Sequence, residues 1–118
     1  MKLFFTIVLV LNLLVEGMAA ASLIGGPQGI AAAGTGGQWS MHYGFAAIAI
    51  ASALVWLWPY RSNRKAVTAV LGMLMTFHVG LFTSLSIAGD QQLGVVIHAV
   101  MSLLCIGLFT QRSKWCTE

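Results

Sequence analysis

The chain has 118 residues, of which 58% are apolar and only 8% are charged. An ordinary soluble domain has roughly a quarter of its residues charged, and a small protein needs polar side chains to cover its large relative surface. The composition therefore excludes a soluble globular domain and a disordered chain. The net charge of +3 comes from only six basic residues, too few to track nucleic-acid phosphates, so we expect no nucleic-acid partner. An integral membrane protein remains.

Four apolar runs are long enough for a helix to cross a bilayer, which takes about 20 residues. The breaks between them carry the Gly, Pro and polar residues that are typical of turns, and no run alternates in the manner of a membrane β-barrel strand. The four runs are residues 3–24, 39–60, 66–87 and 93–110. We predict an all-α polytopic membrane protein, with residues 1–118 forming a single domain of four antiparallel transmembrane helices.

The first run has a second interpretation. Lys2, an apolar stretch and the small residues after Met18 also match a secretory signal peptide, which would remove about 20 residues. However, the apolar character continues past the cleavage position through Leu23 and Ile24, and a single Lys is a weak start for a signal. We therefore expect an uncleaved first helix, with cleavage as the alternative.

The segment 25–38 joins the first two helices. It is uncharged and rich in Gly and Ala, and its glycines match neither a dinucleotide fingerprint nor a phosphate-binding loop. This composition predicts a flexible linker. A flap over an outward-facing pocket is the functional alternative.

The basic residues predict the orientation. If four helices alternate, all six fall on one side of the membrane, and by the positive-inside rule this side is cytoplasmic. They are Lys2, Arg61, Arg64, Lys65, Arg112 and Lys114. Aromatic residues fit interfacial belts, with Trp56, Trp58, Tyr60 and Trp115 inside and Trp39 and Tyr43 outside. We predict a multi-pass protein of the cell inner (plasma) membrane with both termini in the cytoplasm.

Small residues recur at every fourth position on two helices. Helices in a bilayer associate through close packing of small residues, so we expect these stripes to pack against neighbouring helices. The stripes are Gly17, Ala21 and Gly25 on the first helix, and Thr68, Gly72, Thr76, Gly80, Ser84 and Ala88 on the third. The second helix is rich in Ala throughout and carries further small residues, namely Ser40, Gly44 and the pairs Ala47/Ala51 and Ala49/Ala53.

Ionisable side chains within the spans are costly and are functional candidates by default. They are Glu16, His42, His78 and His98. With a rise of about 1.5 Å per residue, Glu16 and His78 lie roughly 18–20 Å from the inner end of a core about 30 Å thick. His42 and His98 lie closer to the outer surface. All four therefore fall in the outer half of the bilayer.

Helical phase divides these residues between faces. Asn12 and Glu16 share a face of the first helix, and Gly94, His98, Ser102 and, more loosely, Cys105 share a face of the fourth. We expect these two faces to line one polar pocket. His78 points away from the small-residue stripe of its own helix. It is therefore expected to meet another helix, a cofactor or another subunit.

Several chemistries fit these residue types. A carboxyl at the depth of Glu16 must be protonated, paired or hydrated, and His98 or His78 is its expected partner. The residues fit a metal ion, a haem or pigment bound by His78 and His98, a quinone-like head group, or a proton relay. A hydrogen-bonded interior position is the structural alternative for each histidine. Neither the acidic residues nor Cys105 and Cys116 form a catalytic pattern or disulfide framework.

The layout resembles the small four-helix DoxX-like membrane proteins. The similarity lies in the order of a first helix ending in small residues, an outer Gly/Pro loop, an Ala-rich helix ending in Trp and Pro, a basic turn, and two further helices. It implies a bacterial inner-membrane protein, some relatives of which act beside quinone-linked redox enzymes. It carries over no residue roles. Small multidrug resistance transporters also have a glutamate in helix one, but they lack counterparts of the three histidines.

These observations predict a non-enzymatic membrane protein that acts as an accessory subunit or binding module. Its polar pocket in the outer half of the bilayer would be built around Glu16 and His98, with a quinone-like or other amphiphilic ligand. A proton-coupled small transporter using Glu16 is the first alternative, and a haem or pigment binder is the second. Its expected partners are the lipid bilayer and a homo-oligomer or larger membrane complex.

Overall fold

The computed structural model describes residues 1–27, 29–32, 34, 39–89 and 91–117. The helices in this part of the chain are α1 (Lys2–Gly25), α2 (Trp39–Ala51), α3 (Ala53–Leu57), α4 (Arg64–Ala88) and α5 (Gln92–Gln111). Short 3₁₀ turns follow at Ile30–Ala32, Trp58–Tyr60 and Arg112–Lys114. Residues 28, 33 and 35–38 of the predicted linker or flap at 25–38 lie outside the described residues, as does Asp90.

Four helical segments are long and apolar enough to cross a membrane. They are Lys2–Gly25, Trp39–Tyr60, Arg64–Ala88 and Gln92–Lys114. Their bounds agree with the predicted runs to within a few residues. The expectation of an all-α chain with four candidate membrane spans is therefore confirmed.

The chain divides into two compact units. Unit 1 comprises residues 1–8 and 57–118, and unit 2 comprises residues 9–56. Unit 1 therefore holds α4, α5 and the first turns of α1, whereas unit 2 holds the rest of α1 with α2 and with α3 up to Trp56.

In unit 1, α4 has defined signals at both ends. The side-chain Oδ1 of Asn63 accepts a hydrogen bond from the backbone N–H of Ala66 at 2.9 Å, which satisfies one of the free donors of the first turn. At the other end, Gly89 adopts a left-handed conformation with φ of 75°, and its N–H donates to the carbonyl of Leu85. Glycine tolerates this conformation because it has no Cβ. Gly89 therefore ends α4, and α5 begins at Gln92.

The buried face of α4 differs from the predicted one. The buried side chains are Val67, Leu71, Leu74 and His78. The small-residue stripe is half-buried at its start and exposed from Thr76 onward, and a Cβ added at Gly72 or Gly80 would meet no neighbouring atom within 4 Å. Within the described residues, the expectation that this stripe packs on a neighbour is therefore wrong at its two glycines, Gly72 and Gly80. Branched apolar side chains fill the interface instead, since they make more van der Waals contacts than glycine.

In unit 2, the close approach of helices occurs at Gly44. A Cβ at this position would lie 2.7 Å from Cγ1 of Ile24 and 3.2 Å from the carbonyl oxygen of Ala20. By contrast, a Cβ at Gly17 would meet nothing within 4 Å, so Gly17 is not a packing glycine in this part of the chain either. Gly44 is the position where α2 depends on a missing side chain to reach α1.

The second candidate span is interrupted at Ser52, between α2 and α3. The Ser52 hydroxyl donates to the carbonyl of Ala49 at 2.7 Å and accepts from the indole N–H of Trp56 at 3.1 Å. Serine hydroxyls that bond to a preceding carbonyl compete with the regular helix pattern and bend helices. The interruption therefore coincides with the two hydrogen bonds of the Ser52 hydroxyl.

We predict that Gly44→Val lowers the free energy of unfolding by about 1–3 kcal/mol, because the added methyls overpack the contact with Ala20 and Ile24. Gly80→Val is the matched control, since Gly80 is exposed, and it should change stability by less than about 0.5 kcal/mol. Loss of helical circular dichroism during SDS titration in mixed micelles measures both. Equal effects at the two positions would contradict the assignment of Gly44 as the packing glycine.

Candidate functional site

Unit 1 brings two of the predicted site residues together. His78 on α4 and His98 on α5 face each other, with their Nδ1 atoms 2.9 Å apart. His78 is fully buried and His98 is 8% exposed. A neutral imidazole has one protonated and one bare nitrogen. One Nδ1 therefore donates and the other accepts, so the two rings share one proton at this contact.

Contacts on either side fix the level at which these rings meet. Toward one end, a Cβ at Gly94 would lie 2.9 Å from Cδ1 of Leu85, so α5 approaches α4 closely there. Toward the other end, Nε of Arg112 donates to the Thr68 hydroxyl at 2.8 Å. The contacting pairs are thus Thr68 with Arg112, His78 with His98, and Leu85 with Gly94. Residue numbers increase along α4 while those of the contacting residues on the other helix decrease. The two helices form a hairpin, and its short connection brings His78 and His98 to the same level.

The His78–His98 pair lies among aromatic and weakly polar groups. The ring of Phe77 meets both imidazoles nearly edge-on, with centroid distances of 5.3 Å to His78 and 6.3 Å to His98. The Ser102 hydroxyl donates to the backbone carbonyl of His98 at 2.7 Å, and Cys105 is fully buried farther along the helix. The predicted face of α5 with His98, Ser102 and Cys105 is therefore a buried face. The sequence carries no signal for Phe77 beyond its position next to His78.

The contact between the rings bears on metal ligation. Two nitrogens bound on opposite sides of one metal ion at about 2.0–2.1 Å each would be separated by about 4 Å. The Nδ1 atoms of His78 and His98 are only 2.9 Å apart. In this arrangement the two atoms fit a hydrogen bond and do not fit the two axial ligands of one haem iron.

Unit 2 holds two further predicted residues on α1. Asn12 and Glu16 are both fully buried, and Nδ2 of Asn12 donates to the carbonyl of Ile50 at 2.8 Å. Tyr43 on α2 is close enough to Glu16 for a charge on the carboxyl to act on the phenol. From the sequence, Tyr43 was expected only in the aromatic belt at the outer membrane interface. Its place beside Glu16 follows from its position next to Gly44, where α2 approaches α1.

His42 lies apart from these groups. It is exposed in the first turns of α2, and its ring meets that of Trp39 at a centroid distance of 6.0 Å. Of the five predicted residues, His78 and His98 are hydrogen-bonded to each other, Asn12 and Glu16 are buried on α1, and His42 is exposed. His42 therefore serves as a natural control for the buried histidines.

No family model matches the chain, and neither a curated protein nor a solved structure is detectably similar to it. The resemblance to DoxX-like proteins stays a prediction from hydropathy and loop order. The chemistry of the buried residues must therefore support any functional inference.

We predict that His78→Ala and His98→Ala are energetically coupled, because each leaves the other ring without its hydrogen-bond partner at Nδ1. The free energies of unfolding of the two single variants and the double variant should deviate from additivity by about 0.5–3 kcal/mol. The control pair, His42→Ala with His98→Ala, should add within about 0.5 kcal/mol. SDS unfolding of all five variants and the parent tests this, and additivity of the buried pair would contradict the hydrogen bond.

Proposed function

We propose that the protein is a non-enzymatic multi-pass protein of the plasma membrane that binds the polar head group of a quinone-like amphiphile through His78 and His98. It would act as a binding module or as an accessory subunit of a larger membrane complex. The observation that carries this proposal is the buried hydrogen bond between the two imidazoles.

The tautomers of the pair give it a useful asymmetry. The ring that donates through Nδ1 has a bare Nε2, whereas the ring that accepts through Nδ1 has an Nε2–H. The pair thus has one acceptor and one donor at its two Nε2 atoms. A quinone carbonyl accepts a hydrogen bond and a quinol hydroxyl donates one. Both kinds of hydrogen-bonding nitrogen that suit the two redox forms of such a ligand are therefore present in the pair.

The proposed membrane arrangement rests on the sequence. The six basic residues support a cytoplasmic position for both termini, and alternation of the four spans then makes neighbouring helices antiparallel. Counted from the helix ends, His78 and His98 then belong to the outer half of the bilayer. Glu16 has nearly the depth of His78 on this count, which supports its inclusion as a proton-linked residue, with Asn12 one turn away.

Quinone binding can be tested on the purified protein with decylubiquinone as the probe. The parent protein and His42→Ala should bind it with equal affinity in detergent, as measured by equilibrium dialysis. His98→Phe should bind it about 10-fold more weakly or worse, because a lost hydrogen bond in an apolar site is worth about 1.5 kcal/mol. Circular dichroism verifies that the variant is folded. Equal affinity of all three proteins, or no binding by any, would refute the proposal.

A proton-coupled transporter is the second candidate, and the hydrogen-bonded rings favour it. If one Nε2 takes up a proton, the shared proton moves between the Nδ1 atoms, and the other Nε2 releases one, a net proton crosses the pair. The tautomers are then exchanged, and rotation or the reverse transfer resets them. This is the behaviour of a proton relay within a membrane.

The transporter predicts pH-driven uptake of a lipophilic cation into proteoliposomes, with ethidium as the probe. Uptake should depend on the direction of the pH gradient and should stop with Glu16→Gln, since the amide cannot exchange the proton. His42→Ala should leave uptake unchanged. A parent protein that moves no ethidium at any gradient would count against this candidate without affecting the quinone-binding proposal.

A further inference from the structure

Unit 1 carries all the basic residues of the chain. The chain's acidic residues are Glu16, Asp90 and Glu118. Glu16 belongs to unit 2, and the other two lie outside the described residues. Within the described part of unit 1, therefore, no carboxylate side chain balances the six cations.

The C-terminal tail brings three helix ends of unit 1 together. The backbone N–H of Arg64 donates to the carbonyl of Thr117 at 2.8 Å, and the N–H of Thr117 donates to the carbonyl of Ser62 at 2.7 Å. The ring of Trp115 contacts that of Phe5 in the first turns of α1, with a centroid distance of 5.0 Å. The starts of α1 and α4 thus meet the tail that follows α5.

Three cations converge on this tail, one from each helix end. Lys2, Arg64 and Arg112 all act electrostatically on the thiol of Cys116. Burial raises the pKa of this thiol more than the three cations lower it, so the thiol is neutral at pH 7 and does not balance their charge. Lys2 and Arg64 are exposed and Arg112 is half-buried. We call these three residues the basic cluster.

The cluster is partly preorganised by neutral contacts. Nε of Arg112 donates to the Thr68 hydroxyl at 2.8 Å, and its guanidinium lies 3.8 Å from the centroid of the Phe109 ring. Arg61, outside the cluster, is held differently, with its guanidinium 4.3 Å from the centroid of the Trp58 ring. These contacts with neutral groups orient the guanidinium groups without neutralising their positive charge.

We propose that the basic cluster of Lys2, Arg64 and Arg112 binds the phosphate of an anionic phospholipid, with phosphatidylglycerol as the representative ligand. Guanidinium groups bind phosphate by charge-assisted, bidentate hydrogen bonds, and basic residues beside a span attract anionic lipids. The residues that follow Lys2 offer an apolar surface for acyl chains, because Leu3 is 74% exposed and Phe4 is 40% exposed. This surface favours a lipid over free phosphate. The proposal is independent of the histidine pair.

Native mass spectrometry of the protein in an uncharged detergent tests the proposal, with phosphatidylglycerol and phosphatidylcholine as probes. The cluster variant Lys2→Gln/Arg64→Gln removes two charges from the proposed site but keeps Arg112 and its structural contacts. The control variant Arg61→Gln/Lys65→Gln removes the same charge from the same end of the unit. Circular dichroism verifies that both variants are folded.

We expect the parent protein to bind phosphatidylglycerol about 10-fold more tightly than phosphatidylcholine, or better, and the cluster variant to lose about 10- to 30-fold in affinity for phosphatidylglycerol. The control variant should lose clearly less affinity than the cluster variant, because its two charges lie outside the proposed site and act on the lipid only through screened attraction. Equal losses in the two variants would mean that net charge attracts the lipid, and would overturn the proposed site. Equal binding of both lipids by the parent protein would overturn it as well.

Two measurements on the unmodified protein keep the proposal testable if the variants misfold. Added salt should weaken phosphatidylglycerol binding, because exposed charges are screened, and an affinity independent of salt would contradict the cluster. Excess inorganic phosphate should compete poorly, since it lacks acyl chains. Displacement of the lipid by phosphate at similar concentrations would assign the cluster to free phosphate instead.

Discussion

The hydrogen bond between His78 and His98 is the constraint on which unit 1 depends. Each imidazole is removed from solvent, and a buried polar group costs free energy unless it is hydrogen-bonded. The 2.9 Å contact meets this requirement for one nitrogen of each ring. It also ties α4 to α5 at one level, because a shift of either helix by a single turn would separate the rings by about 5 Å. The apolar side chains of α4 that are buried with His78 depend on the same alignment of the two helices. They are Val67, Leu71 and Leu74.

Properties that are local in the chain were predictable from the sequence. Length and hydropathy located the four candidate spans, and the Gly, Pro and basic residues between the apolar runs located their ends. The phase of α5 was also predictable, since His98, Ser102 and Cys105 repeat at helical spacing and are all buried. Counting residues from the helix ends placed His78 and His98 at similar depths. The short connection between their helices then makes a contact possible.

Partner choice was not predictable, because it depends on the shapes of two surfaces. Gly72 and Gly80 would permit another helix to approach α4 closely, but the sequence does not say whether a helix packs there. Within the described residues, no atom lies close to either position. Gly44, by contrast, was expected among the small packing residues of the second helix, and it does approach α1. The amide of Asn12 bonds to a backbone carbonyl of α2, a partner that every residue offers and no residue type reveals. The hydrogen bonds of Thr117 with Arg64 and Ser62 likewise join backbone groups, which every residue has, so no residue type indicates them.

The interruption at Ser52 has a consequence for the fit to a membrane of given thickness. The 13 residues of α2 alone reach only about 20 Å at the usual rise, short of a hydrocarbon core of about 30 Å. The second candidate span can match the core only by combining α2 with the segment after Ser52. At the junction of the two segments, the backbone N–H of Ser52 donates to Ile48 and its carbonyl accepts from Trp56. If the segment crosses a bilayer, the interruption of its helical pattern at Ser52 is where a mismatch in length is most easily absorbed.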